Sequence, residues 1–283
     1  MVDGSVKRVG LIGLGKMGGP MVRHIIAGGF AVTGYDVKPA LIETAAADGA
    51  IAAATPAEVA ANADVVLIAV GFDAEVEMAL FRNDGIMEGI GEGAIIAICS
   101  TVAPGTVARI ARRIGEAPVR LIDCPLTRGE QAAIDGKMLT MVGCDKADFE
   151  ACRPVMECYA DSIFHLGSLG AGSTGKMVNN LILWACMSAN REAMLLADGL
   201  GVDTELLRTA LLASSAGNWS LETRADEQPT PWAEKDMMIV LGEADRLRLS
   251  LPLSGVVKEV IKQLKIERGY PTPSAEENWA EET

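Results

Sequence analysis

Histidine and aromatic side chains are scarce in this chain. Of 283 residues only His24 and His165 are histidine, and aromatics make up 4%. The six cysteines (Cys99, Cys124, Cys144, Cys152, Cys158 and Cys186) form no CxxC pair. A Cys/His zinc site therefore lacks both ligands and spacing, and no metal is expected. Most of these cysteines lie in apolar or helical-looking runs, where a thiol behaves as a small core residue. No apolar run reaches the roughly 18 residues that read as a bilayer span. The first ten residues contain no apolar signal core, so the expectation is a cytoplasmic protein without a membrane segment. Basic charge is also short. Lys plus Arg is 25 against 38 Asp plus Glu, a formal charge of −13 with a pI near 4.7. That balance excludes binding of nucleic acid or anionic membranes by bulk attraction, while leaving room for a local site for a small anion.

What is present is ordinary globular composition, 49% hydrophobic and 22% charged, at a length that predicts about two domains. The first half alternates. Val6 to Ile12, Phe30 to Tyr35, Asp64 to Val70, Ala94 to Ile98, Val119 to Ile122 and Met138 to Val142 read as strands. Helical patterns run from Lys16 to Ala27, Pro56 to Ala61 and Pro104 to Ile114. Continuously apolar strands separated by helices imply an α/β fold, a doubly wound parallel sheet covered on both faces. From Ser168 the pattern becomes helical only. Glycines 167, 170, 172 and 175 lead into a proline-free run from Lys176 to Gly199, and further helical runs cover Thr204 to Ala213, Glu234 to Leu247 and Leu253 to Lys265. The break Gln228-Pro229-Thr230-Pro231 interrupts them, and the acidic tail from Tyr270 reads as a mobile end. The expected domains are 1–167 and an all-helical 168–283, joined through one long helix.

Gly13, Gly15 and Gly18 form GxGxxG between the first strand and the first helix. A dinucleotide pyrophosphate needs that placement: the first glycine makes the turn, the second lets backbone approach phosphate, and the third lets helix pack on strand. The helix N-terminus adds free N–H groups and a positive dipole. Asp36 ends the next strand 18 residues after Gly18, where a carboxylate accepts ribose hydroxyls and repels a 2′-phosphate, favouring NAD over NADP. Lys38 offers an alternative 2′-phosphate contact. The candidate for proton transfer is Lys176, with Asn179 and Asn180 one turn later. Residues at i and i+4 share a helix face. A lysine ammonium there can protonate a carbonyl oxygen as hydride reaches its carbon, and its amine can take the proton back in reverse. A lysine opening a helix opposes the dipole, so stability alone does not place it there.

Four segments resemble the β-hydroxyacid dehydrogenase family, which includes 3-hydroxyisobutyrate dehydrogenases and tartronate semialdehyde reductases. They are Gly13 to Met21 (GLGKMGGPM), Asp123 to Gly136 (DCPLTRGEQAAIDG), Gly170 to Asn180 (GAGSTGKMVNN) and Lys235-Asp236. The resemblance implies a Rossmann domain followed by a helical domain, pairing into homodimers or homotetramers, and metal-free hydride transfer between NAD(H) and a small β-hydroxy acid or its semialdehyde. It implies Lys176 as catalytic lysine and Asn180 as the substrate-orienting asparagine. Gly13, Leu14, Gly15, Lys16, Met17 and Gly18 form the cofactor loop, with Val70 and Gly71 passing the adenosine, Thr101 near the nicotinamide ribose, and Lys235 beside nicotinamide and substrate. Retention of Lys176 separates the chain from imine reductases, which replace that lysine.

Two segments depart from the family pattern. Where the family has Ser-Gly-Gly holding the substrate's acid group, this chain has Thr127-Arg128-Gly129. A guanidinium suits a carboxylate or sulfonate, which keeps open a reductase for a sulfonate (as in the sulfolactaldehyde-reducing branch) or for a larger acid semialdehyde. The other reading of Arg128 is that it turns outward and pairs with a carboxylate of the chain. Pro231-Trp232 replaces a stretch containing glycine and phenylalanine. A non-catalytic dinucleotide-binding regulatory protein is the rival from outside the enzymes. His24 reads as surface, His165 as structural, Trp184, Met187 and Met194 as core or subunit interface, and Cys124 as no nucleophile for want of a base.

Overall fold

The computed structural model describes residues 6–224 and 231–273. These divide into two compact units, 6–176 and 177–273, with the division inside one helix. The first begins with β1 (Arg8–Ile12), α1 (Gly18–Ala27), β2 (Ala31–Tyr35), α2 (Pro39–Ala47), β3 (Ile51–Ala52), α3 (Pro56–Ala61) and β4 (Val65–Ile68). It continues with α4 (Asp73–Phe81), α5 (Ile86–Gly89), β5 (Ile95–Ile98), α6 (Pro104–Ile114), β6 (Arg120–Asp123) and β7 (Leu126–Thr127). Then come α7 (Gly129–Ile134), β8 (Met138–Gly143), α8 (Lys146–Tyr159) and β9 (Ala160–Gly167). Among the described residues only helices follow: α9 (Ala171–Gly199), α10 (Thr204–Leu212), α11 (Trp219–Thr223), α12 (Pro231–Arg246) and α13 (Pro252–Glu267).

The sheet runs β3-β2-β1-β4-β5-β6-β8-β7, with β9 also paired to β8. From β3 to β6 all pairs are parallel; β8 lies antiparallel to β6 and β7 and parallel to β9. Alternate residues of the central strands feed two separate cores. Val9, Leu11, Val65, Leu67, Ile95 and Ala97 face α1 and α8, while Ile12, Val66, Ile68, Ile96 and Ile98 meet residues of α3, α4 and α6. Burial on both faces is why these strands read as unbroken apolar runs. Strand order reverses at β1, which has β2 on one side and β4 on the other. The carboxyl ends of strands at such a point are where open α/β sheets take ligands.

The long helix departs from its expected start. It begins at Ala171, ahead of Lys176, and runs for 29 residues. The glycine cluster that reads as a loop supplies its first two turns. A Cβ at Gly172 would collide with the carbonyl of Met141 and lie 2.6 Å from that of Asp123; one at Gly175 would lie 2.6 Å from Leu166 and 2.7 Å from the sulfur of Met141. Glycine at 172 lets the helix rest on the backbone of β6 and β8, and glycine at 175 leaves room for the side chains of Leu166 and Met141, packing reasons that outweigh poor helix propensity.

In the second unit α9, α12 and α13 share a core of Trp184, Met187, Ala233, Met237, Val240, Val257 and Ile261. Glu234 and Lys265 form a buried ion pair across α12 and α13 at 3.1 Å. Residues 228–230 of the proline-bearing break, and the acidic tail from 274, lie outside the described residues. Among the described residues no helix is long and apolar enough to cross a membrane.

The packing of α9 on the sheet predicts that Gly172→Ala destabilises the protein by about 1–3 kcal/mol. Urea unfolding checks this, and wild-type stability in the variant contradicts it.

Candidate active site

Each glycine of the first loop has a separate task. Gly13 sits at φ +89°, a conformation that disfavours a side chain, and its N–H donates to Tyr35 O at 3.0 Å. A Cβ at Gly18 would overlap Gly13 O, so that glycine lets α1 close onto the turn. A Cβ at Gly15 would meet nothing within 4 Å. Protein packing leaves Gly15 unexplained, whereas a phosphate approaching the backbone at the N-terminus of α1 requires that cradle. The carboxylate of Asp36 accepts from Leu14 N–H at 2.7 Å and from Lys38 N–H at 2.9 Å, which fixes it at the loop with lone pairs left for a ribose. Lys16 is exposed and pairs with Glu130 at 3.0 Å.

Carboxylates also fix the neighbouring loops. Glu75, buried at the start of α4, accepts from the N–H groups of Gly71 (2.6 Å) and Phe72 (2.9 Å). Asp73 accepts from Ala103 N–H at 3.0 Å and from the Thr106 hydroxyl, tying α4 to α6. Val70 N–H donates to Ser100 Oγ at 2.9 Å, beside the half-buried Thr101. Val70, Gly71 and Thr101 thus follow β4 and β5 on the same sheet edge as the glycine loop and Asp36. Sequence reading missed Glu75, Asp73 and Ser100. An acid in the first turn of α4, where it can accept orphan N–H groups, was the available signal for the first two.

The start of α9 is clamped by Asp123 at the end of β6. Its carboxylate is fully buried and accepts from Gly170 N–H at 2.7 Å and Ser173 N–H at 2.5 Å. Burial raises its pKa above the ordinary carboxylate range, and the Ser173 and Gly170 N–H groups oppose that shift. Lys176 follows three residues later and is half-buried. One turn on, Asn180 is buried in the second unit, where its Nδ2 donates to Asp236 Oδ2 at 2.8 Å and its Oδ1 accepts from Asn179 at 3.0 Å. Trp184 Nε1 donates to the same Asp236 oxygen at 3.0 Å. Asp236 therefore orients two side chains of α9 from α12. Next to it Lys235 is buried, its Nζ 5.8 Å from the Trp232 ring centroid.

The segment 127–129 is held tightly. Thr127 Oγ1 donates to Leu139 O at 3.1 Å. Arg128 precedes α7 with φ +77°, and Gly129 follows at φ +79°. The left-handed conformation costs a non-glycine residue about 1–2 kcal/mol. Of the two readings of Arg128, the structure shows pairing with a carboxylate of the chain: Nη1 donates to Asp161 Oδ1 at 2.5 Å and Lys137 O at 2.9 Å, and Nη2 to Ser162 Oγ at 3.1 Å. His24 departs from its surface reading. It is half-buried, with Nε2 donating to Ala133 O (3.2 Å) and Ile134 O (3.0 Å) at the end of α7. His165 is structural, stacked on Phe149 and donating to Cys144 O. Cys124 is buried 3.6 Å from Cys99 sulfur to sulfur, and the Cys99 contact together with burial pushes its pKa well up. A thiol held protonated is a poor nucleophile. Among the described residues no group of three or more potential metal-ligating side chains comes together.

Residues 8–167 match the family model described as the NAD binding domain of 6-phosphogluconate dehydrogenase. Residues 170–273 match that described as NAD-binding of NADP-dependent 3-hydroxyisobutyrate dehydrogenase. The NAD-dependent L-serine dehydrogenase of Pseudomonas aeruginosa is 33% identical over 77% of this chain and 73% of that protein. The 3-hydroxyisobutyrate dehydrogenase of the same species is 28% identical over 89% of this chain and 90% of that one. The solved Mycobacterium tuberculosis 3-hydroxyisobutyrate dehydrogenase with L-serine shares the fold, with a TM-score of 0.85, 23% identity, and 92% and 94% of the two chains covered. Sheet, glycine loop and helical second unit define a Rossmann-type oxidoreductase that binds a nicotinamide dinucleotide. With these relatives across most of its length, the chain belongs to the β-hydroxyacid dehydrogenase family.

The clamp gives a test of stability and its pH dependence. Asn in place of Asp123 offers one acceptor and sets an NH₂ against the second backbone donor, so Asp123→Asn is destabilised by about 1–3 kcal/mol. Because the folded pKa of Asp123 is raised, its contribution is fully present below its unfolded pKa and is lost as pH rises through the folded value. The gap between wild type and variant therefore narrows with rising pH. Thermal unfolding across pH checks both statements; a gap that widens contradicts the second.

Proposed function

We propose that the protein oxidises a small β-hydroxy acid to its semialdehyde, or reduces the semialdehyde, with NAD(H) preferred over NADP(H), and that Lys176 is the general acid/base. The observation that carries this is α9: its start is fixed on Asp123, and it bears Lys176 one turn before the buried, oriented amide of Asn180. When bound, the dinucleotide supplies or accepts the hydride at the substrate carbon. Gly13, Leu14, Gly15, Lys16, Met17 and Gly18 would hold its pyrophosphate, Asp36 its adenosine ribose and Val70 and Gly71 its adenosine, with Thr101 and Lys235 assigned to the nicotinamide end. In reduction the Lys176 ammonium gives its proton to the carbonyl oxygen; in oxidation its amine takes the hydroxyl proton. Asn180 orients the substrate. Thr127, Arg128 and Gly129 hold its acid group, the guanidinium acting through the backbone it fixes.

The relatives support the substrate class. 3-Hydroxyisobutyrate and L-serine, named for them, both carry a primary hydroxyl on the carbon β to a carboxylate. Asp36, a second-strand carboxylate held at the loop by two backbone N–H groups, supports NAD, as do NAD-dependent relatives. The sulfonate reading rests on a guanidinium aimed at substrate, and the pairing of Arg128 with Asp161 takes away that support. Exposed Leu195 and Leu196 on α9, and Leu200 just past its end, support assembly into a homodimer or homotetramer.

Lys176→Ala is expected to cut turnover at least ~10²-fold while NADH affinity, read by fluorescence titration, stays near wild type. Retained turnover removes Lys176 from the mechanism. Asp36→Ala is expected to narrow the preference for NADH over NADPH in parallel assays, and an unchanged ratio contradicts the role of Asp36.

A further inference from the structure

Arginine stands in the left-handed region at position 128, followed by a glycine that also has positive φ. Nothing in the local sequence favours that conformation for arginine. The compensation comes from a distant strand: Asp161 and Ser162 of β9 take both terminal nitrogens of the guanidinium, and Lys137 O, just before β8, takes a second bond from Nη1. Ser162 Oγ in turn donates to Asp161 Oδ1 at 2.7 Å, so the carboxylate is oriented before it meets the arginine. The hydrogen bonds from Ser162 and Arg128 hold the Asp161 carboxyl below its ordinary pKa. At its far end α7 is held by His24, on the same helix that opens with Gly18. Segment 127–134 is thus fastened to β9 at one end and to α1 at the other.

We propose that Asp161 is a positioning residue for substrate binding: through the Arg128 guanidinium it fixes the backbone of Thr127-Arg128-Gly129 in the shape that receives the substrate's acid group. This rests on the functional reading above, in which that segment meets the acid group. Asp161 itself touches neither substrate nor cofactor. On this account the arginine does its work by its backbone, and its charge is spent on the brace. The brace is half-exposed, with side-chain exposures of 34% for Arg128 and 48% for Asp161, so its removal loosens the segment and leaves the fold standing.

The test is steady-state kinetics on the full chain with 3-hydroxyisobutyrate and L-serine as the acids supplied, joined to hydrogen exchange of the same variants. Asp161→Ala is expected to raise the KM for the acid about two- to fivefold, the range for an exposed pair. Its kcat, its KM for NAD and its Tm stay near wild type, because the lost interaction serves binding alone. Asp161→Glu restores most of the KM. Adding Asp161→Ala to Arg128→Ala raises KM no further, since both remove one unit. Amides of 127–134 exchange faster in Asp161→Ala, a readout that needs no turnover. Unchanged exchange and KM overturn the proposal, as does a rise in both KM values with a falling Tm, which marks a general structural role. Faster exchange with an unchanged acid KM overturns it too, by showing that the braced segment does not read the acid group. Lys176→Ala in the same assay reports on the proton-transfer reading alone, whatever Asp161 shows.

Discussion

A carboxylate with no exposure, Asp123 at the end of β6, receives the N–H of Gly170 just before α9 and that of Ser173 in its first turn, and the placement of Lys176 depends on it. Helix N-termini present N–H groups without intrahelical partners, and burying them unpaired is costly. Asp123 meets that requirement with one side chain, at the expense of its own desolvation. The arrangement demands close approach of backbones, and the glycines follow. A Cβ at Gly143 would strike Asp123 Oδ1, and one at Gly172 would strike Met141 O. Sequence, packing and chemistry meet here. The glycines permit the contact, the contact sets the helix, and the helix carries Lys176 and Asn180.

The same device recurs where the chain positions other functional groups. Asp36 gathers Leu14 N–H and Lys38 N–H, Glu75 gathers Gly71 and Phe72, and Asp73 joins Ala103 to Thr106. In the second unit Asp236 holds Asn180 and Trp184 with a single oxygen. An excess of acid that excludes polyanionic partners at the level of composition thus has internal work at the level of structure. Several of these carboxylates hold backbone N–H groups of loops that a ligand requires to stay put, and preorganisation of that kind is what binding and catalysis use.

The central parallel strands β1, β4 and β5 were legible because both of their faces are buried, whereas β3, two exposed residues, was not. The GxGxxG loop was legible from its spacing between strand and helix, with Gly13 and Gly18 answering steric demands of the turn. Asp36 followed from its spacing. The start of α9 was not legible: Gly170, Gly172 and Gly175 read as a loop by propensity, and the reasons they open a helix are tertiary, the backbone of Asp123 and Met141 against Gly172, the side chains of Leu166 and Met141 against Gly175, and a positive φ at Gly170. Strand β9 escaped notice because it alternates poorly and leaves Phe164 and Leu166 exposed. Arg128 and Asp161 are 33 positions apart, so no local pattern announces their pairing, and Asp236 finds its partners 52 and 56 residues away. Roles set by tertiary partners are what a single sequence hides.

In the proposed reaction, hydride transfer is coupled to a proton given by Lys176. The most direct measurement is the rate of NADH-dependent reduction of small acid semialdehydes by the wild-type enzyme as pH is raised into the alkaline range. With Lys176 as the proton donor, turnover falls through a single ionisation as the lysine loses its proton. A rate that stays flat into the alkaline range, or no NADH consumption with any semialdehyde despite NADH binding, would contradict it.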